Sequence, residues 1–203
     1  MKKIILSTFV IGLCICGGNV FAQESPWQIR VRADYLNPAN KSDPIGGVGA
    51  SDRLHVNAKV IPDVDISYFF TPNWATELVL TYPQKQDVSL DGKNIGSFKH
   101  LPPTLTLQYH FLPAAQFSPY LGAGLNYTRI SSVDLLNGAG SLSKNSWGLA
   151  LQAGVDYKLD QHWSLNLDVK KLRIQSDVYA AGQKISAVQI DPWLIGMGVG
   201  YRF

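Results

Sequence analysis

Beyond its first 22 residues the chain has no cysteine, no long apolar run and almost no net charge. The two cysteines, Cys14 and Cys16, both lie near the start, so nothing after them can use a disulfide or a thiolate-bound metal. A membrane-spanning helix takes about 20 consecutive apolar residues. The stretch from Ile4 to about Cys16 falls short of that, and no later segment is continuously apolar for that length. With Lys2 and Lys3 set aside, sixteen basic side chains face fifteen acidic ones. That balance argues against nucleic acid, whose binding leaves a clustered basic footprint. There is no internal repeat and no disorder composition. The four histidines, His55, His100, His110 and His162, show no His-x-x-x-His spacing, so neither a metal nor another cofactor is expected.

The N-terminus has a different character. Met1-Lys2-Lys3, the apolar run from Ile4, and Val20-Phe21-Ala22 before Gln23 make up the three parts of a secretory signal. The expectation is cleavage after residue 22, leaving 23–203 as one domain. Leu13 and Ile15 precede the cysteines where a lipoprotein would carry a small residue, which speaks against lipidation.

What the rest contains is alternation. Trp27, Ile29, Val31, Ala33 and Tyr35 alternate with Gln28, Arg30, Arg32 and Asp34, so a strand there has one apolar and one charged face. The pattern recurs in segments near 63–70, 74–82, 104–111, 121–128, 147–157, 163–169 and 195–203. Eight strands result. Their length, roughly nine to eleven residues, is what a tilted strand needs to cross a bilayer. Aromatics gather at the ends of the apolar faces, among them Trp27, Tyr35, Trp74, Tyr82, Trp147 and Trp163, as membrane barrels use for anchoring. Connections alternate between short ones, near 71–73, 112–119 and 159–162, and long polar ones, near 36–60, 83–102, 131–146 and 175–187. Outer-membrane barrels pair short periplasmic turns with long external loops, so both termini are expected on the periplasmic side. Lipid offers no hydrogen-bond partner to an open sheet edge, and the first strand must therefore pair with the last. The fold class is all-β, an eight-stranded antiparallel up-and-down transmembrane barrel.

Several stretches resemble the OmpW family of small outer-membrane barrels: His100-Leu101-Pro102-Pro103-Thr104-Leu105, the run Pro119 to Thr128, Asp191-Pro192-Trp193, and the ending Gly198-Val199-Gly200-Tyr201-Arg202-Phe203. The resemblance implies a narrow apolar channel that helps small hydrophobic molecules cross the outer membrane, with sideways release into the lipid. It also implies that Tyr201 and Phe203 belong to the signal read by the barrel-assembly machinery. In the family, an apolar inward residue on strand three and an aromatic one on strand seven narrow the channel. Val79 fits the first; Lys170 stands at the second, a departure that removes the aromatic gate. Leu172, Ile174 and Leu194 remain as candidate apolar lining.

An eight-stranded barrel is only wide enough to be filled by side chains or to hold one small ligand. The expected inward set places Arg30, Arg32, Lys158, Lys170 and Arg202 against Asp34, Asp63, Asp65, Glu77, Asp156 and Asp168. Five cations against six carboxylates predict salt bridges that plug the lower lumen. A greasy solute then needs another way out. Pro83 follows strand three while Pro102 and Pro103 precede strand four, and proline cannot donate to a ladder. Pairing should fail there and leave a lateral exit, or the prolines simply end the strands.

Two other classes are weighed. His162 and Ser164 form a His-x-Ser pair without an acidic orienter in reach, too little for a hydrolase. A structural or adhesive barrel, its outer loops binding a partner, shares the alternation and the terminal Phe. Protruding β-ribbons would favour it, although Gly46-Gly47-Val48-Gly49 makes the first loop too flexible for one. Outer-membrane lipid and lipopolysaccharide are the expected surroundings.

Overall fold

The computed structural model describes residues 25–180 and 182–203; the expected signal lies outside them. Among the described residues the strands run β1 (Trp27–Asn37), β2 (Lys41–Ser42), β3 (Leu54–Val56), β4 (Lys59–Phe69), β5 (Trp74–Leu80), β6 (Gln84–Leu90), β7 (Lys93–Leu101), β8 (Thr104–His110), β9 (Phe117–Leu135), β10 (Gly140–Leu142), β11 (Asn145–Lys158), β12 (Trp163–Leu172), β13 (Gln175–Ala180), β14 (Gln183–Gln189) and β15 (Trp193–Arg202). Eight of them, β1, β4, β5, β8, β9, β11, β12 and β15, pair antiparallel in that order, and β15 returns to β1. The sheet is a closed barrel with no free edge, as a lipid solvent requires.

The register turns one apolar face outward all the way round. Val31 lies between Val64 and Val199, and Leu105 between Leu78 and Leu125. Val31, Leu149 and Met197 are each more than half exposed, which only a greasy solvent makes favourable. Aromatic edge contacts rim the end that carries both termini, with Trp27 4.8 Å from Tyr68, Trp74 4.9 Å from Tyr109 and Trp163 4.9 Å from Tyr201. At the other end Tyr35, Tyr82, Tyr127, Trp147 and Trp193 form a second exposed or half-buried belt.

Three of the four long connections are not irregular loops, contrary to the sequence reading. β6 and β7 form a hairpin, β9 runs on to Leu135 well beyond the second belt, and β13 and β14 form another hairpin. They join into a second ring: β3 pairs β6, then β7, upper β9, β10, β13, β14 and β2 follow in turn. Leu54 N donates to Ser42 Oγ at 3.3 Å and Asp52 N to the Ser42 carbonyl at 2.9 Å, which brings β2 against β3. The first connection keeps its expected irregular centre, a 3-10 turn at Ile45–Gly47 with Gly46, Gly47 and Gly49 at positive φ.

The two rings have opposite polarity. In the barrel, apolar side chains face out and polar ones in; in the ribbon ring Val88, Phe98, Ile130 and Val188 are buried within while Lys85, Lys99 and Arg129 are exposed. β9 shows the switch without any register break: Leu125 and Tyr127 point out with Asn126 and Thr128 inside, and two residues later Arg129 is out and Ile130 in. Lipid wets the outside of the first ring and water the outside of the second.

Candidate functional site

The lumen has a polar floor. Arg30 donates from Nη1 to Glu77 Oε2 at 2.8 Å and to Ser67 Oγ at 3.0 Å, and from Nη2 to Asp156 Oδ2 at 2.7 Å. Arg32 reaches Asp63 Oδ1 at 3.3 Å and Asn166 Oδ1 at 3.2 Å and is paired with Asp65. Lys170 Nζ lies 2.8 Å from Asp168 Oδ1 and 3.9 Å from both Asp34 and Asp63. Gln152 ties the set together, donating to Glu77 Oε1 at 2.9 Å and to Asp168 Oδ2 at 2.8 Å while its own oxygen accepts from Thr106 and Gln108. Tyr120 adds its hydroxyl to Asp168 Oδ2 at 2.8 Å. Buried charge is costly unless it is paired, and here Asp34, Asp65 and Lys170 are held by ion pairs, with Asp65 Oδ1 and Oδ2 and Lys170 Nζ making no hydrogen bond among the described residues.

Glycines make room for these groups. A Cβ on Gly198 would overlap the Val31 carbonyl oxygen, one on Gly196 the Asp34 carboxylate, and one on Gly154 the Tyr120 ring.

The expected inward set does not all meet in one salt-bridged network. Lys158 and Arg202 stand at the terminal mouth instead, Lys158 bonded to the Pro113 carbonyl and Arg202 over the Phe69 ring at 4.2 Å. Both lie near strand ends, beyond the last inward layer of the plug. Three cations, Arg30, Arg32 and Lys170, are left facing six carboxylates.

Above the floor the lining is apolar. Leu36, Ile61, Leu172, Ile174 and Leu194 of the barrel rim pack with Leu54, Val56, Val88, Phe98, Ile130 and Val188 of the ribbon ring. The space left among Leu54, Val56, Phe98, Val178 and Ile190 is about 30 Å³, enough for a water but not for an organic solute. Anything larger than a water would have to displace ribbon side chains to occupy it. Val79, expected in this lining, is buried beside the last rung of β5 and does not join the apolar cluster.

Between floor and ribbons the wall is interrupted. The β5–β8 ladder ends at Val79 opposite Thr104, and the β6–β7 ladder begins at Gln84 opposite His100. Residues 80–83 and 101–103 share no rung across that interval, which holds Pro83, Pro102 and Pro103. Side chains reach the carbonyls that border the gap. Gln84 Nε2 donates to the Tyr82 carbonyl at 3.1 Å, and Asn126 Nδ2 to the Pro102 and Pro103 carbonyls at 3.3 Å. On the far side the wall stays closed, with Tyr127 N donating to the Pro103 carbonyl at 3.1 Å.

Sequence reasoning missed the polar residues on the inner side of this gap. Gln84, Gln86 and His100 are almost fully buried, and among the described residues Gln84 Oε1, Gln86 Oε1 and His100 Nδ1 have no hydrogen-bond partner. Gln86 Nε2 and His100 Nε2 lie 3.2 Å apart. His100 stands above the prolines, outside the membrane-crossing part, and burial, aided by the Lys59 charge, lowers its pKa to about 4. It is uncharged at neutral pH. The spacing Gln84-x-Gln86-x-Val88 was a visible signal, since it continues strand alternation past Pro83.

The remaining titratable candidates do not assemble. His162 Nδ1 meets the Arg202 carbonyl at 2.8 Å and the ring stacks on Tyr201, whereas Ser164 Oγ accepts from Gln28. His110 stacks on Tyr120 at 4.9 Å and bonds Gln108 Oε1. Tyr201 also edges Phe203, whose backbone N donates to the Trp27 carbonyl at 3.2 Å and so stitches the last residue to the first strand.

The chain is similar to known proteins along its length. The OmpW family profile matches residues 23–203. Outer membrane protein W of Vibrio cholerae is 34% identical over 221 residues, covering all of both chains. The dibenzothiophene metabolism operon protein DoxH of Pseudomonas sp. strain C18 is 29% identical, over 90% of this chain and 91% of that one. The crystal structure of outer membrane protein OprG from Pseudomonas aeruginosa superposes with a TM-score of 0.79 at 28% identity, covering 89% of this chain and 97% of that one. A closed barrel with lipid-facing apolar walls, matched along its whole described length, identifies the chain as a member of the OmpW family of outer-membrane proteins.

Proposed function

We propose that this barrel passes small apolar solutes between its ribbon-ring mouth and the membrane, with the proline gap as a sideways door. The observation that carries the reading is the stacking order of the lumen: an apolar compartment lies above a salt-bridged floor, and the wall opens at the level where the two meet. A greasy molecule in the upper compartment meets buried charge below and, to the side, a stretch of wall without rungs between β5–β8 and β6–β7. Leu172, Ile174 and Leu194 line its path, Val79 marks the lower edge of the door, and Pro83, Pro102 and Pro103 keep the rungs apart. The ribbons face the cell exterior and the termini the periplasm, since the turns at the terminal end are the short ones. DoxH, named for a dibenzothiophene operon, supports an apolar aromatic as a first solute to try.

The test is uptake of a panel of small apolar molecules, dibenzothiophene among them, into cells with and without the protein, and with Pro83, Pro102 and Pro103 changed to Ala together. The expected result is faster uptake with the wild type and at least a severalfold loss in the triple variant. Uptake equal to that of the empty strain for every solute sinks the reading. The ribbons themselves favour a second one, a structural or adhesive barrel. Their inner faces are spent on an apolar core, however, which an adhesin presenting outer surfaces does not require.

A further inference from the structure

Just beyond the ribbon-end aromatic belt, the outer surface turns basic along one continuous row. Lys85 and Lys99 stand directly opposite each other on β6 and β7. Arg129 on β9 lies diagonal to Lys99, which is paired with Ser131, and is itself opposite Asn145 on β11, next to Lys144. All four are exposed. Among the described residues none of the four has a carboxylate within salt-bridge distance, whereas Arg53 and Lys184 are held by Asp91 and Asp177.

Like charges directly opposite on an antiparallel pair are destabilising, and the acidic groups of the same outer faces, Asp87 and Asp134, stand further out toward the ribbon tips, leaving this level to the cations. The row is also placed at a definite height. Tyr82 precedes Lys85 by three residues, Tyr127 precedes Arg129 by two, and Trp147 follows Lys144 by three. At about 3.3 Å per residue the cations sit one headgroup layer beyond the belt. They span three strand spacings, about 14 Å along the rim, too wide for one phosphate and suited to a headgroup that carries several.

We propose that Lys85, Lys99, Arg129 and Lys144 form a docking row for the phosphates of lipopolysaccharide, the phosphorylated glycolipid of the outer leaflet. The row lies where that leaflet's headgroups stand if the ribbons face outward, as proposed above. Its first two members rise from the β6–β7 ribbon, whose foot bounds the proline gap, so a docked glycolipid would sit directly above the door.

The test uses the mature protein folded in detergent micelles, with retained lipid measured after exposure to lipopolysaccharide, to the same lipopolysaccharide with its phosphates removed, or to phosphatidylglycerol. Wild type is expected to hold intact lipopolysaccharide at least tenfold more tightly than either of the others, with affinity falling as salt rises. A variant carrying Lys85→Gln, Lys99→Gln, Arg129→Gln and Lys144→Gln should drop to the phosphatidylglycerol level. A control carrying Lys93→Gln, Arg53→Gln and Lys184→Gln, three charges lost nearer the ribbon tips, should bind as wild type, whereas the row variant with one of its four positions restored should bind more weakly than wild type. Equal binding of intact and dephosphorylated lipopolysaccharide by the wild type overturns the proposal without recourse to any variant. So does an equal loss in the control and the restored row variant, which would make net charge alone responsible.

Discussion

Arg32 is within 4.0 Å of five carboxylates, those of Asp34, Asp63, Asp65, Glu77 and Asp168. Removing one member of a buried charged set leaves the others uncompensated, at a cost of about 3–5 kcal/mol. Arg32→Gln should therefore lower the urea midpoint of the barrel in lipid vesicles markedly, while an exposed change such as Lys93→Gln leaves it in place. His100 gives a pH dependence with a definite sign. Unfolded, its imidazole titrates near 6.5, and folded, near 4, so the native ribbon binds fewer protons between those values. Stability of the β6–β7 ribbon holds above pH about 6.5 and falls as pH drops toward 4. Protease cleavage of the ribbon in the folded protein should rise over that window, and His100→Gln should flatten the rise. Arg30, Arg32 and Lys170 were legible because strand alternation alone assigns them inward. Lys158 and Arg202 were not, because alternation gives a face but not a depth, and both stand where the lumen opens to water.

At the scale of the strand, the lower ring follows from alternation and the upper ring needs a second rule. β12 carries Val169 out and Lys170 in, then Lys171 out and Leu172 in, so the apolar residues change sides while the pleat continues. A reading that expects apolar outward throughout sees the pattern dissolve there and infers a loop. The solvent changes at that height, from lipid to water, and the sequence changes with it. The inward glycines of β15 are the strand's other contribution. Gly198→Ala would drive a methyl into the Val31 carbonyl, so the variant is expected to lose the compact folded form that detergent gels of unboiled sample would resolve from the unfolded chain. A fully folded Gly198→Ala barrel would show that β1 and β15 can part far enough to absorb it.

For the whole molecule, closure of the barrel was legible from solvent physics, and closure of the ribbons was not, because it depends on contacts between distant segments such as Ser42 with Leu54 and β10 with β13. The two rings should be separable. Replacing 84–101 with a short turn is expected to leave the membrane ring folded, since its rungs stop at Val79 and Thr104, while solute uptake falls to the empty-strain level. The salt-bridged floor has a final consequence for electrical conduction. With Arg30, Arg32 and Lys170 cross-linked to six carboxylates across the lower lumen, the barrel reconstituted in a planar bilayer is expected to add little ionic conductance, and single-channel recording would check it.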